Sequence, residues 1–343
     1  MRRALPLALL LACAKAAPDA VVTPVSTAAS AAPSTSAAPA TSAAADPSPR
    51  DRALEASPPA ATVSESEALD ALYPTGGAPA DCMPEDRVRC LLGRLYAKDP
   101  AARALALDLY RDAGDVVGVE HDHTMNGGFR GILHLVPELP VATYRDKLAW
   151  TAAALRDFDV FFDGIRGDSG AVKYRWRALT VRFFRSVGRT TPSAYASPWT
   201  VSVNVDGSLL RTPDGLRETM FHEMFHMNDA DHGDWSPKNL ATDYDVIVKK
   251  CGTAVACLAP FAPNDTQVRG GTYYAFQPNN GLPVREYAAE LALRFYKEQR
   301  AMLRHEGPPG GRSFKCGPPE NARSWKALVS EFFGGLDLTP ACP

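Results

Sequence analysis

The stretch from Pro213 to Met227 reads PDGLRETMFHEMFHM and contains the pattern HExxH at His222 to His226. A proline at the first position and large apolar residues at helical spacing predict a helix through this stretch. Residues four apart lie on one face of a helix, so the two imidazoles are close enough to hold one metal ion. We therefore predict that this stretch is a metal-binding helix, buried behind an active site.

Glu223 follows the first histidine and is predicted to face the open position of the metal. Zinc suits imidazole ligands and lowers the pKa of a bound water toward neutrality. A glutamate beside that water can take its proton and deliver it to the leaving amine. The pattern thus predicts Zn²⁺ as the cofactor and Glu223 as the general base. The alternative is a buried helix with two hydrogen-bonded histidines and a surface glutamate.

A catalytic zinc needs a third protein ligand, and three residues are candidates. His232 follows His226 by six residues, which is the metzincin spacing HExxHxxGxxH. Asp229 occupies the glycine position of that pattern, and no methionine lies between Met227 and Met302 to form the expected Met-turn. Asp229 could itself approach the metal, but its expected role is to hold the N–H of a ligand histidine.

The third candidate is Glu286, in the segment VREYAAELALRFY from Val284 to Tyr296. Glu286 and Glu290 are four residues apart and share one face of a second predicted helix, among apolar positions. Carboxylates on an apolar face require a partner, and a metal ion is one such partner. The alternative is a surface helix whose glutamates face water or pair with neighbouring arginines.

The segment from Glu218 to Tyr296 resembles the gluzincin arrangement of the anthrax lethal factor type. In that family a HExxH helix, often followed by Asp three residues on, pairs with a later helix written ExxAE. The resemblance implies a zincin-like fold and peptidase activity. It implies a site in which three residues bind zinc and one is the general base: His222, His226 and Glu286 as ligands, with Glu223 as the base.

The same resemblance implies a tyrosine just before the ligand helix, which donates to the developing oxyanion. Tyr273 and Tyr274 lie in that loop, and Tyr274 fits the position better. The chain departs from the family pattern at Phe225, where glycine is frequent, and in the longer segment from Gln277 to Pro283.

The first thirteen residues are typical of a bacterial export signal, with two arginines, a short apolar run and Cys13. Residues 10–13, LLAC, resemble a lipobox, which implies a lipid anchor to the membrane through Cys13. The alternative is an ordinary signal peptide cleaved elsewhere. Of the 49 residues from Ala14 to Thr62, 38 are Ala, Pro, Ser or Thr, a composition that predicts a disordered tether. The net charge of −2 argues against a nucleic-acid partner.

The other six cysteines are an even number in an exported chain, which predicts three disulfides. Six cysteines allow 15 pairings. We expect the three local pairs: Cys82–Cys90, Cys251–Cys257 and Cys316–Cys342.

Hydrophobic periodicity predicts an α+β fold with a zincin-like core, additional helices and a small antiparallel sheet. Helices are predicted over 85–97, 101–113, 144–162, 240–250 and 284–303, besides the one that begins at Pro213. A hairpin is predicted from 115–120 and 129–136, and further strands over 177–187 and 199–205. Residues 201–205 are expected to border the active-site cleft.

The predicted domains are a signal peptide (1–12), a lipid anchor and tether (13–65) and a zincin-like metallopeptidase domain (66–343). That domain divides into an N-terminal part (66–190), a catalytic core (191–304) and a C-terminal segment (305–343). The predicted function is zinc-dependent hydrolysis of peptide bonds in a peptide or protein substrate outside the cytoplasm. The alternative is a non-catalytic surface lipoprotein that retains the core as a binding module or scaffold.

Overall fold

A computed structural model describes residues 63–127, 130–166, 171–175, 178–268, 271–278 and 281–343. The predicted signal peptide, Cys13 and the tether as far as residue 62 lie outside these ranges. The first helix begins at Glu65, the last residue of the predicted tether, because Ser64 and Glu67 form a capping box.

Helices and strands are mixed along the chain, as the α+β prediction requires. The helices are α1 (Glu65–Leu72), α2 (Arg87–Leu95), α3 (Pro100–Ala113), α4 (Arg145–Arg166), α5 (Pro213–Asp231), α6 (Trp235–Asn239), α7 (Ala241–Cys251), α8 (Val255–Leu258), α9 (Pro283–Leu303) and α10 (Pro319–Phe332). The strands are β1 (Val116–Val119), β2 (His123–Asn126), β3 (Ile132–Pro137), β4 (Thr180–Ser186), β5 (Ala194–Ser197) and β6 (Thr200–Asn204). Among the described residues, no helix is both long and apolar enough to cross a membrane.

The described strands form one six-stranded sheet that is mixed, so the expected small antiparallel sheet is a wrong prediction. At its centre β4 pairs in parallel with β1 and β6 and antiparallel with β3, while β5 pairs antiparallel with β6. The hairpin predicted from 115–120 and 129–136 is also wrong in one strand, because β3 pairs with β2 and not with β1. All four residues of β1 are buried, as is usual for an apolar strand inside a parallel pair.

The two faces of the sheet differ in their neighbours. Val181 and Val201 belong to the main core, which includes the helices, whereas Phe184 packs in a separate small cluster with Leu133 and Leu135. Helix α1 approaches β1 so closely that a Cβ on Gly118 would lie 2.1 Å from the carbonyl oxygen of Ala71. Glycine is therefore required at this position.

Helices α5 and α9 pack side by side in the main core. Phe221 stacks on Tyr296 with ring centroids 4.4 Å apart, and Glu218 pairs with Lys297 at 3.1 Å. His222 contacts Glu290, so later residues of α5 meet earlier residues of α9. The two helices therefore run antiparallel, which brings the first turn of α9 to the HExxH residues.

The three predicted disulfides are confirmed: Cys82–Cys90, Cys251–Cys257 and Cys316–Cys342. Each closes a local loop of 26 residues or fewer. Three disulfides indicate an oxidising compartment outside the cytoplasm.

Candidate metal centre

Helix α5 holds both histidines of the HExxH pattern on a rigid, buried support. The hydroxyl of Thr212 caps the helix by accepting the N–H of Gly215, and Pro213 occupies the first turn. The large apolar residues that flank the pattern are buried, as predicted: Met220, Phe221, Met224, Phe225 and Met227. The imidazoles of His222 and His226 lie on one side of the helix, with their Nε2 atoms 3.2 Å apart.

Glu286, in the first turn of α9, completes a group of three potential metal ligands. Its Oε2 lies 3.2 Å from His222 Nε2, and its Oε1 lies 3.7 Å from His226 Nε2. A search of the described residues for three or more His, Cys, Asp or Glu side chains close enough to hold one ion finds this group. The structure thus brings together the three ligands that the sequence resemblance implied.

The contacts of His222 fit a cation at this point. Its Nδ1 lies 3.1 Å from Glu290 Oε1, so the N–H of a neutral imidazole belongs there and the Nε2 lone pair faces the Glu286 carboxylate. Two lone-pair groups at 3.2 Å repel unless a positive charge lies between them, either a proton on the imidazole or a metal ion. Ligand atoms of a tetrahedral zinc site lie about 3.3 Å apart, close to these spacings.

The charges of the centre favour a positive charge beside His222 Nε2, which is a proton when no metal is bound and is replaced by the metal ion when one binds. Burial by itself lowers the pKa of His222, but the contacts with Glu286 and Glu290 raise this pKa well above its ordinary value. Burial raises the pKa of Glu286, and its contacts with the two histidines reverse this and hold the pKa well below its ordinary value. Glu286 is therefore an ionised carboxylate aimed at two imidazole nitrogens.

Glu290 lies behind His222 and supports the centre through it. This carboxylate is 4% exposed and contacts His222 through Oε1, while its Oε2 accepts a 2.9 Å bond from Asn264 Nδ2. The same amide donates to the carbonyl of Glu290 at 2.8 Å. Asn264 is a site residue that no pattern in the sequence had indicated.

Replacing Glu290 by Gln is expected to weaken metal binding by about 10–100-fold, the usual cost of losing an outer partner of a ligand histidine. A carboxylate accepts at both oxygens, whereas glutamine offers one acceptor to the two donors of His222 and Asn264. Competition with a chelator measures the affinity, and Glu306→Gln, an exposed position after α9, is the matched control. Unchanged affinity in Glu290→Gln would contradict this role.

Glu223 is on α5, and its side chain reaches the edge strand of the sheet. Burial raises the pKa of its carboxyl group above the ordinary value, and the nearby His222 and His226 act in the opposite direction. The carboxylate accepts a hydrogen bond from the backbone N–H of Ala196 in β5. It is thus held beside the proposed ligands without being one of them, as a general base requires.

Strand β5 borders the centre, so the expectation for residues 201–205 in β6 is wrong. β5 is the last strand of the described sheet, and Asn204 donates to the carbonyl of Ser193. Hydrogen-bonded and non-hydrogen-bonded pairs alternate in an antiparallel ladder, and Ala196 pairs with Val201 at a non-hydrogen-bonded position. The N–H and carbonyl of Ala196 therefore point away from β6, toward the outer edge of the sheet. A short strand that the sequence did not indicate therefore takes this position.

Tyr274 lies close to the centre, in a 3₁₀ turn over Tyr274–Phe276. Its ring centroid is 5.8 Å from that of His222. The neighbouring Tyr273 is buried and has its own backbone bridge to Gln267. The position of Tyr274 agrees with its choice over Tyr273 as the tyrosine of the site. Its role as a donor to the oxyanion stays a prediction.

The two competing ligand candidates lie elsewhere. His232 Nδ1 lies 2.7 Å from Glu331 Oε1, and its imidazole packs on Phe332 with centroids 4.6 Å apart. Asp229 is buried and accepts both the N–H and the hydroxyl of Ser236, at 2.6 and 2.8 Å. The expectation that Asp229 holds a histidine N–H is therefore wrong, because the chain turns back after α5 and presents Ser236 to it.

The site thus combines two imidazoles and a carboxylate that could hold one ion, a supporting carboxylate, a nearby half-buried glutamate and a tyrosine. These groups define a candidate metal centre with the edge strand β5 beside it. No family model, curated protein or solved structure matches the chain.

Proposed function

We propose that the chain is an exported zinc-dependent peptidase with a zincin-like core, in which the described helices and sheet support one hydrolytic site. The observation that carries the proposal is the convergence of His222, His226 and Glu286 with Glu223 beside them. The donor set of two nitrogens and one oxygen is typical of catalytic zinc sites that keep an open fourth position.

A bound zinc ion would supply a Lewis acid and lower the pKa of a water ligand. The remaining roles belong to residues of the chain. The Glu223 carboxylate takes the proton from the attacking water and passes it to the leaving amine. The hydroxyl of Tyr274 donates to the oxyanion that develops on the substrate carbonyl.

The position of β5 at the edge of the described sheet supports a peptide as the substrate. An extended peptide can add to an exposed edge strand through main-chain hydrogen bonds, which fixes its position without reading its sequence. Ala196, whose N–H contacts Glu223, is on this edge, so a peptide beside β5 passes the proposed base.

We further propose that the mature chain is anchored through a lipidated Cys13, since residues 10–13 resemble a lipobox. Mass spectrometry of the mature N-terminus should then find an acylated cysteine. An unmodified terminus further along the chain would end this part of the proposal.

The function is tested by metal analysis and peptide hydrolysis on the disulfide-bonded chain, produced in an oxidising compartment. We expect about one zinc per chain and cleavage of a mixed peptide library that stops when a chelator removes the metal. A fully loaded zinc site with no cleavage of the library would favour the non-catalytic alternative.

A further inference from the structure

A second concave site lies next to the edge strand, on the sheet face that carries Phe184 and Tyr195. It is an open cavity of about 420 Å³, a size in the usual range for ligand pockets. Its lining joins the edge strand to the β1–β2 connection: Glu120, His121, His123, Arg182, Tyr195 and Ser197. None of these residues has a role in the proposed metal centre.

The floor of this cavity is a row of side chains across three strands. Arg182 of β4 is in register with Ser202 of β6, which is in register with Tyr195 of β5. The Glu120 carboxylate lies along this row and accepts from the Ser202 hydroxyl at 2.5 Å and the Tyr195 hydroxyl at 2.8 Å. The N–H of His121 adds a third bond at 2.9 Å.

Glu120 is a buried, ionised carboxylate. It is 6% exposed, and burial opposes its ionisation. The hydrogen bonds from Ser202, His121 and Tyr195 more than reverse this effect and lower the pKa of Glu120 below its ordinary value. The cavity therefore has a fixed negative charge in its wall.

The one arginine of the lining is outnumbered by carboxylates once Asp70, which lies behind the lining, is counted with Glu120. Arg182 is held by Asp70 at 2.6 Å and lies 3.7 Å from Glu120, so one guanidinium faces two carboxylates. Asp70 also contacts His121 at 3.1 Å. Because the guanidinium is already engaged by acids, the cavity suits a cationic ligand better than an anionic one.

The geometry of β5 connects this cavity to the substrate path. Successive side chains of a strand point to opposite faces, so Tyr195 and Ser197 lie on the cavity side while Ala196 contacts Glu223 through its backbone. A peptide paired with the outer edge of β5 places every second side chain on the same face. One of those side chains lies beside the cavity.

We propose that this cavity is a specificity pocket for a lysine or arginine side chain of the substrate peptide, with Glu120 as its charged partner. The inference rests on the proposed peptidase function and adds the substrate class. Glu120 selects the peptide and does not contact the reacting atoms.

The test compares peptides that carry lysine or the uncharged norleucine at one position, scanned through every position of a cleaved sequence. We expect a preference for lysine of about tenfold in kcat/KM at one position, which corresponds to about 1.4 kcal/mol. Glu120→Gln should reduce that preference to about twofold or less. The control variant Glu306→Gln, at an exposed position far along the chain, should keep the full preference.

A second variant covers the case in which Glu120→Gln disturbs the sheet. Ser197 is exposed at the lip of the cavity, and Ser197→Lys leaves every bond of Glu120 intact while adding a competing ammonium group. It should lower the ratio of kcat/KM for lysine and norleucine peptides, a ratio in which any general effect of the substitution on peptide binding to β5 cancels. A preserved lysine preference in both variants would overturn the assignment.

Failure of the pocket and failure of the function give different results. Cleavage with equal rates for lysine and norleucine at every position overturns the pocket and leaves the peptidase proposal standing. If no peptide is cleaved, binding of the paired peptides to the zinc-loaded chain, followed by fluorescence anisotropy, decides the pocket separately. Equal affinities would then overturn it, and tighter lysine binding that Glu120→Gln abolishes would support it.

Discussion

The Glu223→Gln variant is expected to keep its full metal content and to lose about 10²–10⁴-fold in kcat, the range that general-base catalysis supplies. This loss corresponds to about 3–5 kcal/mol of transition-state stabilisation. The reason is that glutamine has nearly the shape of glutamate but cannot accept a proton from water. None of the three proposed ligand atoms is removed, since these belong to His222, His226 and Glu286.

The fold of this variant should be preserved. The carboxylate of Glu223 accepts the backbone N–H of Ala196, and the amide oxygen of glutamine can accept the same bond. The matched control is Glu218→Gln, on the same helix, where the glutamate pairs with Lys297 at a partly exposed position. That pair is worth little in water, so Glu218→Gln should have normal activity.

Zinc content and single-turnover cleavage of one peptide measure the two effects independently. Near-normal turnover in Glu223→Gln would reject the role of this residue as the base. Loss of metal together with activity would mean that Glu223 contributes to binding the ion, which also contradicts the assignment.

The helices of the site could be predicted from sequence because their signals are local. Pro213 and Pro283 begin α5 and α9, within a residue of the predicted starts, and apolar spacing of 3.6 residues continues through both. The disulfide pairs were also predictable, because each joins cysteines that are close in sequence. Such features depend on a few neighbouring residues.

The sheet could be predicted less well because its pairing is non-local. Nothing near β1 specifies that its partner is β4, more than sixty residues later, and this pairing displaced the expected hairpin. Strand β5 is only four residues long and reads AYAS, so it has neither a strong apolar run nor clear alternation. For this reason the sequence predicts the neighbouring residues 201–205, most of which form β6, as the border of the active-site cleft.

Four of the ten described helices, α1, α6, α8 and α10, are not among those predicted, and two of these four, α1 and α10, carry signals in their sequences. Ser64 and Glu67 have the capping-box spacing before α1. Helix α10 begins at a proline and has apolar residues at helical spacing, including Trp325, Leu328 and Phe332. By contrast, no local signal indicates that Asn264 bonds Glu290 across 26 positions.

The third ligand distinguishes the gluzincin interpretation of the sequence, which assigns Glu286, from the metzincin interpretation, which assigns His232. Replacing Glu286 has the second large expected effect. Glu286→Ala should lower the affinity for zinc by more than about 100-fold, above the range for the loss of an outer partner. The carboxylate lies 3.2 Å from His222 Nε2 and 3.7 Å from His226 Nε2, so alanine removes a ligand atom that no neighbouring residue replaces among the described ranges.

His232→Ala provides the opposing test, because the metzincin spacing gives this histidine the role that we assign to Glu286. In the structure His232 contacts Glu331 and Phe332, so its loss should cost some stability and leave zinc affinity within about twofold. Chelator competition measures affinity in both variants, and the absorption spectrum of the cobalt-substituted chain reports any change in the ligand set. If His232→Ala loses the metal while Glu286→Ala keeps it, the centre belongs to the metzincin type and the antiparallel contact of α5 with α9 is structural.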